Sequence, residues 1–445
     1  MRDLSTAPAP ASASASGGRH RRPRALTPTA RRALGIVISA PLAAAVFSGP
    51  SAFAADRSTA LDASDQQLAA NLDTRINDQR LGTNLSGVVL DSGSDATVWG
   101  HNASTALMPA SNAKLATSTA ALTVLGSDHR FTTEVVYDDG TLTLVGGGDR
   151  VLTTADLADL ARTAAAAAKA AGAATVKVRV DDSLFPEPTL AVGWNDGYYP
   201  DSVAPVRALV VDGHAVTDTS IDAGEVFAGQ LAANGVTVDG AVARGTAAPA
   251  GVPVARHLSP TLSTIVHHMI KVSDNNIAET LLRMTALAAG RPATFEDGAA
   301  VVRQVLTDRY GVNLAGFELH DGSGLSRSDR IPAATLADIL DLLTDPLYAA
   351  TLRPVLDGLP VAGEAGSTLG PEWGRFDDPN SECAVGKVRA KTGTLTGAIA
   401  LSGLTIGADG SWKIFSFVEN GSTADPSDIK DAMDGLAATV NGCWA

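Results

Sequence analysis

The segment Pro109-Ala110-Ser111-Asn112-Ala113-Lys114 opens an Ala- and Leu-rich run that reaches Leu125 and stops at Gly126. Apolar residues recur in this run at helical spacing, which predicts a mostly buried helix with Ser111 near its N-terminus. Positions i and i+3 of a helix share a face, so the Lys114 amine is within reach of the Ser111 hydroxyl. A serine hydroxyl is a weak nucleophile until a base takes its proton, and a lysine serves as that base only when burial and nearby cations lower its pKa.

A second short motif, Ser273-Asp274-Asn275, lies between two predicted helices. Its side chains favour loops and helix caps, so the motif alone more often marks a simple helix start. Next to a nucleophilic serine, Ser273 is suited to relay a proton towards a leaving amine, and Asn275 to orient Lys114 and the substrate amide.

A third motif, Lys391-Thr392-Gly393, lies on a predicted strand edge. Alone it more often marks a strand end followed by a turn. Beside the other two motifs, Lys391 and Thr392 are suited to bind a terminal carboxylate, and Gly393 lets a substrate backbone lie against the strand. Lys391 also provides the cation expected to lower the pKa of Lys114.

The three motifs in this order resemble the signature of penicillin-binding proteins and class A β-lactamases. A lone Ser-x-x-Lys is a weak signal, and the chain holds a second one, Ser427-Asp428-Ile429-Lys430, which follows the third motif. We interpret that stretch as a solvated helix start capped by Ser427. In this family the oxyanion hole uses the N–H of the nucleophile and of the residue after the motif glycine, which implies Ser111 and Thr394 here.

The spacing of the three motifs indicates which class of penicillin-binding protein or β-lactamase the chain resembles. Ser273 follows Ser111 by 162 residues, and Lys391 follows Ser273 by 118. The first gap is much shorter in β-lactamases of the same fold, and here it holds an extra α/β unit. The layout resembles class C low-molecular-mass penicillin-binding proteins, the D-alanyl-D-alanine carboxypeptidase/endopeptidase family. Two more stretches look like family signatures, namely Asp321-Gly322-Ser323-Gly324-Leu325-Ser326 and Gly146-Gly147-Gly148-Asp149.

This resemblance implies an α/β (α+β) protein with a penicillin-binding/β-lactamase-like transpeptidase fold. Such a fold has an antiparallel five-stranded sheet flanked by helices, an all-α subdomain and, here, an inserted smaller α/β domain. We expect a signal peptide at 1–54, the catalytic domain at 55–130 and 248–445, and the inserted domain at 131–247. Better-known relatives nest a further small domain in the insertion, but Ala208–Asp212 leads within about ten residues to the next predicted helix. Two domains, not three, are therefore expected.

Strands and helices alternate in the predicted inserted domain, as in a compact α/β unit. The predicted elements are the hairpin Val135–Tyr137 and Thr141–Leu144, helix Thr154–Ala171, strands Thr175–Val180 and Ala208–Val211, helix Asp222–Ala233, strand Val236–Ala243 and an exit linker at 248–253.

The stretch Trp194-Asn195-Asp196-Gly197-Tyr198-Tyr199 resembles a segment that, in relatives, helps to recognise the peptide side chain. The resemblance implies that Asp196 binds the free amine of a diaminopimelate-type residue. The alternative is a surface loop whose aromatic side chains pack against the main domain. Both interpretations stay open.

The first 54 residues have the layout of a secretory signal peptide. A leader rich in Arg precedes an apolar run from Ala33 to Phe47, and Ala52-Phe53-Ala54 supplies the small residues of a cleavage site. The run is too short to span a bilayer core, so an uncleaved membrane anchor is the less favoured alternative. We expect a secreted, extracytoplasmic protein cleaved near Ala54.

The net charge of the protein limits the classes of partner that it is expected to bind. The chain has a net charge of −14, and its leader carries seven Arg and one Asp, a net +6, so the remaining residues carry −20. Such an acidic body excludes nucleic acid as an expected partner. An anionic substrate must instead be captured by a few local cations.

Cys383 and Cys443 are the two cysteines of the chain. An even count in an oxidising compartment favours a disulfide, and two buried free thiols are the alternative. The sequence suggests no metal site, no cofactor and no obligate protein partner, because serine–lysine chemistry needs none of these.

The sequence therefore predicts a serine-type D-Ala-D-Ala carboxypeptidase that hydrolyses peptidoglycan stem peptides, with endopeptidase activity as a further option and β-lactam antibiotics as inhibitors. A serine β-lactamase is one alternative, but no convincing Glu-x-x-Leu-Asn segment follows Ser273 to supply a second base. A catalytically inactive cell-wall-binding module is the other, against which the intact motifs argue.

Overall fold

The computed structural model describes residues 61–94 and 96–444, all of which belong to one compact unit of the chain. The predicted signal peptide and its cleavage site near Ala54 lie outside the described residues. Within the described ranges, no helix combines the length and the apolar character needed to cross a bilayer.

Five strands form a fully antiparallel sheet: β1 (Leu85–Asp91), β2 (Ala96–His101), β11 (Arg389–Leu395), β12 (Ala398–Ile406) and β13 (Trp412–Asn420). Their order across the sheet is β11-β12-β13-β1-β2, so β11 is an edge strand. The predicted antiparallel five-stranded sheet is confirmed.

Successive side chains of a strand point to opposite faces of a sheet, and both faces of this sheet are buried. Val88 and Ile414 belong to the apolar core on one face, and Val89 and Phe415 to the core on the other. Burying one such side chain contributes about 1.5–3 kcal/mol, so the two cores hold the sheet between two helical layers. Helices α2 (Ala113–Leu125) and α8 (Ala333–Asp341) cover the first face, and α1 (Ala63–Arg75) and α10 (Pro426–Asn441) the second.

A helical subdomain shares the first of these cores. Its further members are α5 (Leu262–Val272), α6 (Asn275–Ala288), α7 (Phe295–Gln304), a short π-helix (Val305–Arg309) and α9 (Ala349–Gly358). A small two-stranded sheet, β3 (Ala106–Leu107) with β10 (Ile331–Pro332), lies beside it. These elements match the predicted all-α subdomain.

A second, mixed sheet has its own apolar core. Its strands are β4 (Thr132–Asp138), β5 (Thr141–Val145), β6 (Thr175–Asp181), β7 (Thr237–Val238), β8 (Ala243–Arg244) and β9 (Val252–Leu258). Helices α3 (Thr154–Ala170) and α4 (Thr219–Ala233) contribute buried side chains to that core. The order β7-β6-β5-β4-β9 includes both parallel and antiparallel pairs.

Three sequence predictions for this region are wrong. Ala208–Val211 is not a strand: it forms a single bridge, Asp149 with Leu209, although its apolar side chains are buried. Val236–Ala243 is not one strand but contributes to the short strands β7 and β8. The predicted linker at 248–253 runs into β9, which pairs with β4 along its length.

We still propose an inserted α/β domain, but β9 carries its sheet beyond the expected boundary at 247, to Leu258. Between β6 and α4, the described chain contains only a short 3-10 helix, Asp196–Tyr198, and the isolated bridge at Leu209. This stretch supports an insertion without a further nested domain.

The C-terminal tail is tied back to the chain by a disulfide between Cys383 and Cys443, with 5.8 Å between the two Cα atoms. Cys383 lies in the 3-10 helix Glu382–Ala384, before β11, and Cys443 lies just after α10. The remaining 3-10 helices are Gln79–Leu81, Ala110–Asn112 and Pro371–Trp373.

Candidate active site

Ser111 lies in a tight turn, the 3-10 helix that leads into α2. The preceding residue, Ala110, has a φ of 47°, in the left-handed region that non-glycine residues rarely adopt. Two glycines allow this turn to pack closely: a Cβ at Gly324 would lie 1.9 Å from the carbonyl oxygen of Ala110, and one at Gly393 would lie 2.8 Å from that of Pro109. Strained backbone of this kind is typical of functional sites.

Lys114 lies one helical turn after Ser111, with its side chain fully buried. Its ammonium donates three hydrogen bonds, to Ser111 Oγ at 3.0 Å, to Asn275 Oδ1 at 2.7 Å and to the carbonyl oxygen of Ser323 at 2.8 Å. These three contacts leave the nitrogen little freedom to move away from the serine oxygen.

Burial lowers the pKa of Lys114 to about 8, because removal from water disfavours the charged form. Three carboxylates, Asp321, Glu279 and Asp274, oppose this effect and keep the pKa from falling further. A lysine with a pKa near 8 is partly neutral close to neutral pH, and only the neutral amine can accept the serine proton.

The Ser273 motif joins two helices at the site. Ser273 ends α5 in a left-handed conformation (φ 64°, ψ 38°), and the Asp274 side chain caps α6 by accepting from the N–H of Ile277 at 2.8 Å. Asn275 accepts from Lys114 and donates through Nδ2 to the carbonyl oxygen of Ser202 at 2.8 Å. Asn275 therefore fixes the position of Lys114 relative to Ser202, which lies in the segment between β6 and α4.

Lys391 is also fully buried, and its Nζ donates to Ser273 Oγ at 2.9 Å and to the carbonyl oxygen of Thr392 at 2.8 Å. Burial, and then repulsion from the Lys114 ammonium, lower the pKa of Lys391 well below its ordinary value. The sequence predicted that Lys391 would lower the pKa of Lys114. In the structure burial is the largest cause of the lowered pKa of Lys114, and repulsion between the two buried amines disfavours the state in which both are charged.

The outer edge of β11 faces the site. The N–H of Ala390 donates away from β12, to the carbonyl of Pro360, and alternation along the strand turns the N–H of Thr394 to the same side. The structure shows one reason for glycine at position 393: a Cβ there would lie 2.8 Å from the carbonyl oxygen of Pro109 and 3.1 Å from the Cβ of Ala110 in the nucleophile turn. The role of Gly393 in admitting a substrate backbone stays a prediction. A side chain there would push the strand away from Ser111 before any substrate bound.

A cleft of about 250 Å³ brings the motifs together, because Ser111, Ser273, Asn275, Thr392 and Thr394 all line it. Sequence reasoning missed the other side of this cleft, formed by Thr368, Trp373, Arg375 and Lys430.

The motif that we interpreted as a solvated helix start, Ser427 to Lys430, needs correction. Asp425 and not Ser427 occupies the cap position of α10, and the half-buried Lys430 side chain lines the cleft. No local sequence pattern indicates the position of Lys430 in the cleft, because it depends on the packing of α10 against the catalytic sheet.

A buried carboxylate supports the Lys114 acceptor. Glu279 accepts from the backbone N–H of Gly322 at 2.9 Å and of Ser323 at 2.7 Å, and so holds the carbonyl that receives the Lys114 hydrogen bond. Glu279 lies four residues after Asn275 in α6, on the same helix face, and this spacing was a signal that the sequence analysis did not use.

Aromatic residues of the 194–199 segment form hydrogen bonds to the 321–325 turn, which also contains Ser323. Trp194 is buried, and its Nε1 donates to Asp321 Oδ2 at 2.6 Å; the Tyr198 hydroxyl donates to the carbonyl of Leu325 at 3.3 Å. Asp196 is exposed in the 3-10 helix and is not among the residues that line the Ser111 cleft. Its side chain has no hydrogen-bond or ion-pair partner among the described residues.

One group of carboxylates in the described chain has the spacing of a metal site: Asp62, Asp65 and Asp409. The buried ammonium of Lys413 contacts Asp65 and also lies 2.9 Å from Asp409. A lysine thus already compensates the negative charge of this group.

The chain matches the D-Ala-D-Ala carboxypeptidase 3 (S13) family over residues 68–217 and 212–440. Carboxypeptidase DacB of Mycolicibacterium smegmatis is 32% identical over 384 residues, which cover 81% of this chain and 80% of that protein. Penicillin binding protein 4 (dacB) of Haemophilus influenzae has a similar structure, with a TM-score of 0.69 and 23% identity over 84% of this chain and 98% of that one. That protein has also been solved in complex with a β-lactam.

A third similar structure is Bd3459, a predatory peptidoglycan endopeptidase of Bdellovibrio bacteriovorus, with a TM-score of 0.53 and 17% identity over 82% of this chain and 93% of that one. The predicted fold and the predicted resemblance to low-molecular-mass penicillin-binding proteins are both confirmed. The chain belongs to the D-Ala-D-Ala carboxypeptidase 3 (S13) family and is a serine-type D-Ala-D-Ala carboxypeptidase.

Proposed function

We propose that the protein removes the terminal D-alanine from peptidoglycan stem peptides through an acyl-enzyme on Ser111. The observation that carries this proposal is the 3.0 Å contact between Lys114 Nζ and Ser111 Oγ, in a site where burial lowers the pKa of the lysine to about 8. A base poised beside a serine is the arrangement that nucleophilic catalysis requires.

In the acylation step, Ser111 Oγ attacks the carbonyl carbon of the penultimate D-alanine, and its proton passes to the neutral amine of Lys114. Negative charge develops on the carbonyl oxygen, where the N–H groups of Ser111 and Thr394 are suited to stabilise it. The outward N–H of Thr394 on the outer edge of β11 supports this assignment.

Collapse of the tetrahedral intermediate breaks the peptide bond, and the leaving nitrogen needs a proton. Ser273, which lines the cleft and accepts from Lys391 Nζ, is suited to relay the proton that Lys114 took from Ser111 to this nitrogen, which returns Lys114 to its neutral form. A water then attacks the ester carbonyl with Lys114 as its base, the C–O bond to Ser111 breaks, and the proton passes from Lys114 to Ser111 Oγ. The products are the shortened peptide and free enzyme.

The direct test is the release of D-alanine from a synthetic stem pentapeptide by the purified protein. We expect release by the wild type and, because the nucleophile is gone, no measurable release by Ser111→Ala. Ser427→Ala is the matched control, since Ser427 belongs to the other Ser-x-x-Lys and does not line the cleft. Equal release by the wild type and Ser111→Ala would contradict the proposal.

Penicillins are expected to acylate the same serine, because a β-lactam presents a strained amide to the nucleophile. The β-lactam complex of the similar Haemophilus influenzae protein supports this. Slow deacylation would distinguish this protein from a serine β-lactamase, and any acylation at all would distinguish it from an inactive wall-binding module.

Cleavage of cross-links is a second activity that we propose for the same site. In a D-alanyl cross-link to the second amino-acid centre of diaminopimelate, the leaving amine also lies next to a carboxyl group, so its local chemistry resembles that of D-alanine. The fold shared with the Bdellovibrio endopeptidase agrees with this activity. Conversion of a cross-linked muropeptide dimer to monomers would reveal it, and a dimer left intact while pentapeptide is trimmed would refute it.

We also propose that Asp196 binds the free amine of the diamino acid in the stem peptide. Its carboxylate is exposed and unpaired among the described residues, two residues from the anchored Trp194. Asp196→Asn should then reduce the preference for amine-bearing over acetylated peptides. An unchanged preference would leave the aromatic packing of Trp194 as the role of this segment.

The site of action is proposed to be extracytoplasmic, as the peptidoglycan substrate requires. The Arg-rich leader and the Ala52-Phe53-Ala54 sequence support export and cleavage. N-terminal sequencing of the protein recovered outside the cell should begin near Ala55, and recovery of the intact leader would contradict cleavage.

A further inference from the structure

Lys430 provides the cleft with a cation that the three motifs do not contain. It lies in the first turns of α10, four residues before Asp434, so both side chains follow the same helix face. The cleft that holds Ser111 is bounded on this side by Lys430, Arg375 and Trp373.

Arg375 cannot supply a free positive charge to a ligand. Its side chain is buried, and its guanidinium binds both carboxylate oxygens of Asp434, one of them at 2.8 Å from Nε. The same carboxylate accepts from the N–H of Phe376 at 3.0 Å. The opposite charges of Arg375 and Asp434 compensate each other, and their contact holds this wall of the cleft in place.

Lys430, in contrast, has no hydrogen-bond or ion-pair partner in the part of the chain that the structure describes. It is half-buried, and burial followed by repulsion from Arg375 lowers its pKa. Asp434 and Asp431 act in the opposite direction, but Asp434 is bound to Arg375 and Asp431 lines a separate cavity with Arg80. An ammonium held partly out of water without a counter-ion favours the arrival of an anion.

The substrate brings such an anion. The scissile bond of a D-Ala-D-Ala peptide lies one residue from a terminal carboxylate, so that carboxylate must lie in the cleft when Ser111 attacks. Lys391 is poorly suited to hold it alone, because burial and Lys114 disfavour its charged form. The Thr392 hydroxyl, which donates to Thr368 Oγ1 at 2.7 Å, lines the cleft together with Lys430.

We propose that Lys430 binds the terminal carboxylate of the leaving D-alanine, together with Thr392 and Thr394, and so selects substrates with a free carboxyl terminus. This inference rests on the proposed function and adds to it a determinant of specificity outside the three motifs. Lys430 contributes only its positive charge to this contact. Loss of that charge should therefore lower kcat/KM only for substrates that carry the carboxylate.

Two thioester substrates test this directly, because thioesters are reactive enough to be turned over without ideal leaving-group contacts. Both carry an acyl-D-alanyl donor; one has thioglycolate as leaving group, with a carboxylate, and the other has its neutral carboxamide. The variants are Lys430→Met, which keeps the length of the side chain without the charge, and Lys430→Arg, which restores a cation. The control is Lys177→Met, an exposed lysine of β6.

A hydrogen bond to a charged group contributes enough that Lys430→Met should lower kcat/KM for the carboxylate thioester about 10- to 100-fold. For the carboxamide the change should stay within about twofold, and Lys430→Arg should recover most of the loss. Lys177→Met should behave as the wild type on both substrates. The melting temperature of Lys430→Met should not fall, because the removed ammonium has no partner in the free protein.

Three outcomes would overturn the inference. An unchanged kcat/KM of Lys430→Met on the carboxylate thioester would show that the lysine does not bind the carboxylate. An equal loss on both thioesters would assign it a structural role. Absence of wild-type turnover of either thioester, with no D-alanine release from pentapeptide, would refute the proposed function and the inference with it. Normal wild-type turnover beside an unaffected variant would refute the inference alone.

Discussion

The ammonium of Lys114 donates a 2.7 Å hydrogen bond to the Asn275 side chain, whose amide nitrogen in turn donates to the Ser202 carbonyl at 2.8 Å. One asparagine thus connects the general base to the segment between β6 and α4. The neighbouring Asn276 makes a similar contact, accepting from the N–H of Ala204 at 2.8 Å. The position of the base therefore depends on residues that lie far outside the three motifs in sequence.

The pKa of Lys114 predicts the pH dependence of acylation. Because burial lowers this pKa to about 8 and only the neutral amine accepts a proton, kcat/KM should rise with pH and level off above about pH 8. The measurement is the rate of D-alanine release from a peptide whose own groups do not titrate in this range. A profile that is flat through pH 8 would contradict Lys114 as the base.

Asn275→Asp should shift this profile to higher pH. The substitution places a carboxylate next to the Lys114 ammonium, which favours the charged form of the lysine and raises its pKa. Asn275→Ala is the control: it removes the acceptor without adding charge and should lower the rate. If kcat/KM of Asn275→Asp rises over the same pH range as that of the wild type, residue 275 and Lys114 are not in contact during catalysis.

Gly393→Ala should reduce acylation while the protein still folds. The new Cβ would meet the carbonyl oxygen of Pro109 at 2.8 Å and the Cβ of Ala110 at 3.1 Å, so β11 must move away from the nucleophile turn. We expect at least about a tenfold loss of acylation rate, since small displacements of reacting groups are costly. Gly229→Ala, where nothing lies within 4 Å of the new methyl group, should have no such effect. Equal rates for the two variants would rule out this role of Gly393.

Trp194→Phe should destabilise the protein while keeping most of the aromatic packing. It removes the N–H that donates to Oδ2 of the buried Asp321, which then keeps the N–H of Ser326 as a donor, at a cost of about 1–3 kcal/mol in the free energy of unfolding. Chemical denaturation measures this difference. Trp412→Phe, at a partly exposed position in β13, is the matched control and should change stability little. A similar small change for both would mean that the hydrogen bond contributes nothing.

Removal of the disulfide should cost stability but not the chemistry. The bond closes a loop across 60 residues between Cys383 and Cys443, and such a cross-link typically stabilises by about 2–4 kcal/mol. The double variant Cys383→Ala, Cys443→Ala should unfold at lower denaturant concentration and still be acylated when folded. Titration of unfolded, unreduced wild type should find no free thiol, and two free thiols would refute the bridge.

Sequence reasoning succeeded where the decisive contacts are local. The pairing of Ser111 with Lys114 follows from one helical turn, and the left-handed Ser273 lies between two helices that the apolar pattern predicted. It failed for Ala208–Val211, because a continuous apolar run is equally compatible with a strand and with a buried irregular segment. The apolar side chains of this run are buried, but its backbone forms a single bridge instead of a strand.

The remaining errors concern contacts between distant parts of the chain. The close approach of Gly393 to Pro109 and the position of Lys430 in the cleft both depend on how α10 and β11 pack in the finished structure. Ser427 does not line the cleft, but Lys430 of the same stretch does. No periodicity or local motif encodes such a contact.

The central claim, an acyl-enzyme on Ser111, is tested most directly by intact-mass measurement. The mature protein and its Ser111→Ala variant would be incubated with benzylpenicillin and followed from minutes to hours. We predict a lasting adduct of one penicillin on the wild type and none on the variant. An adduct that forms equally on Ser111→Ala, or drug turnover without any lasting adduct, would contradict the account, as would a wild type that is never acylated.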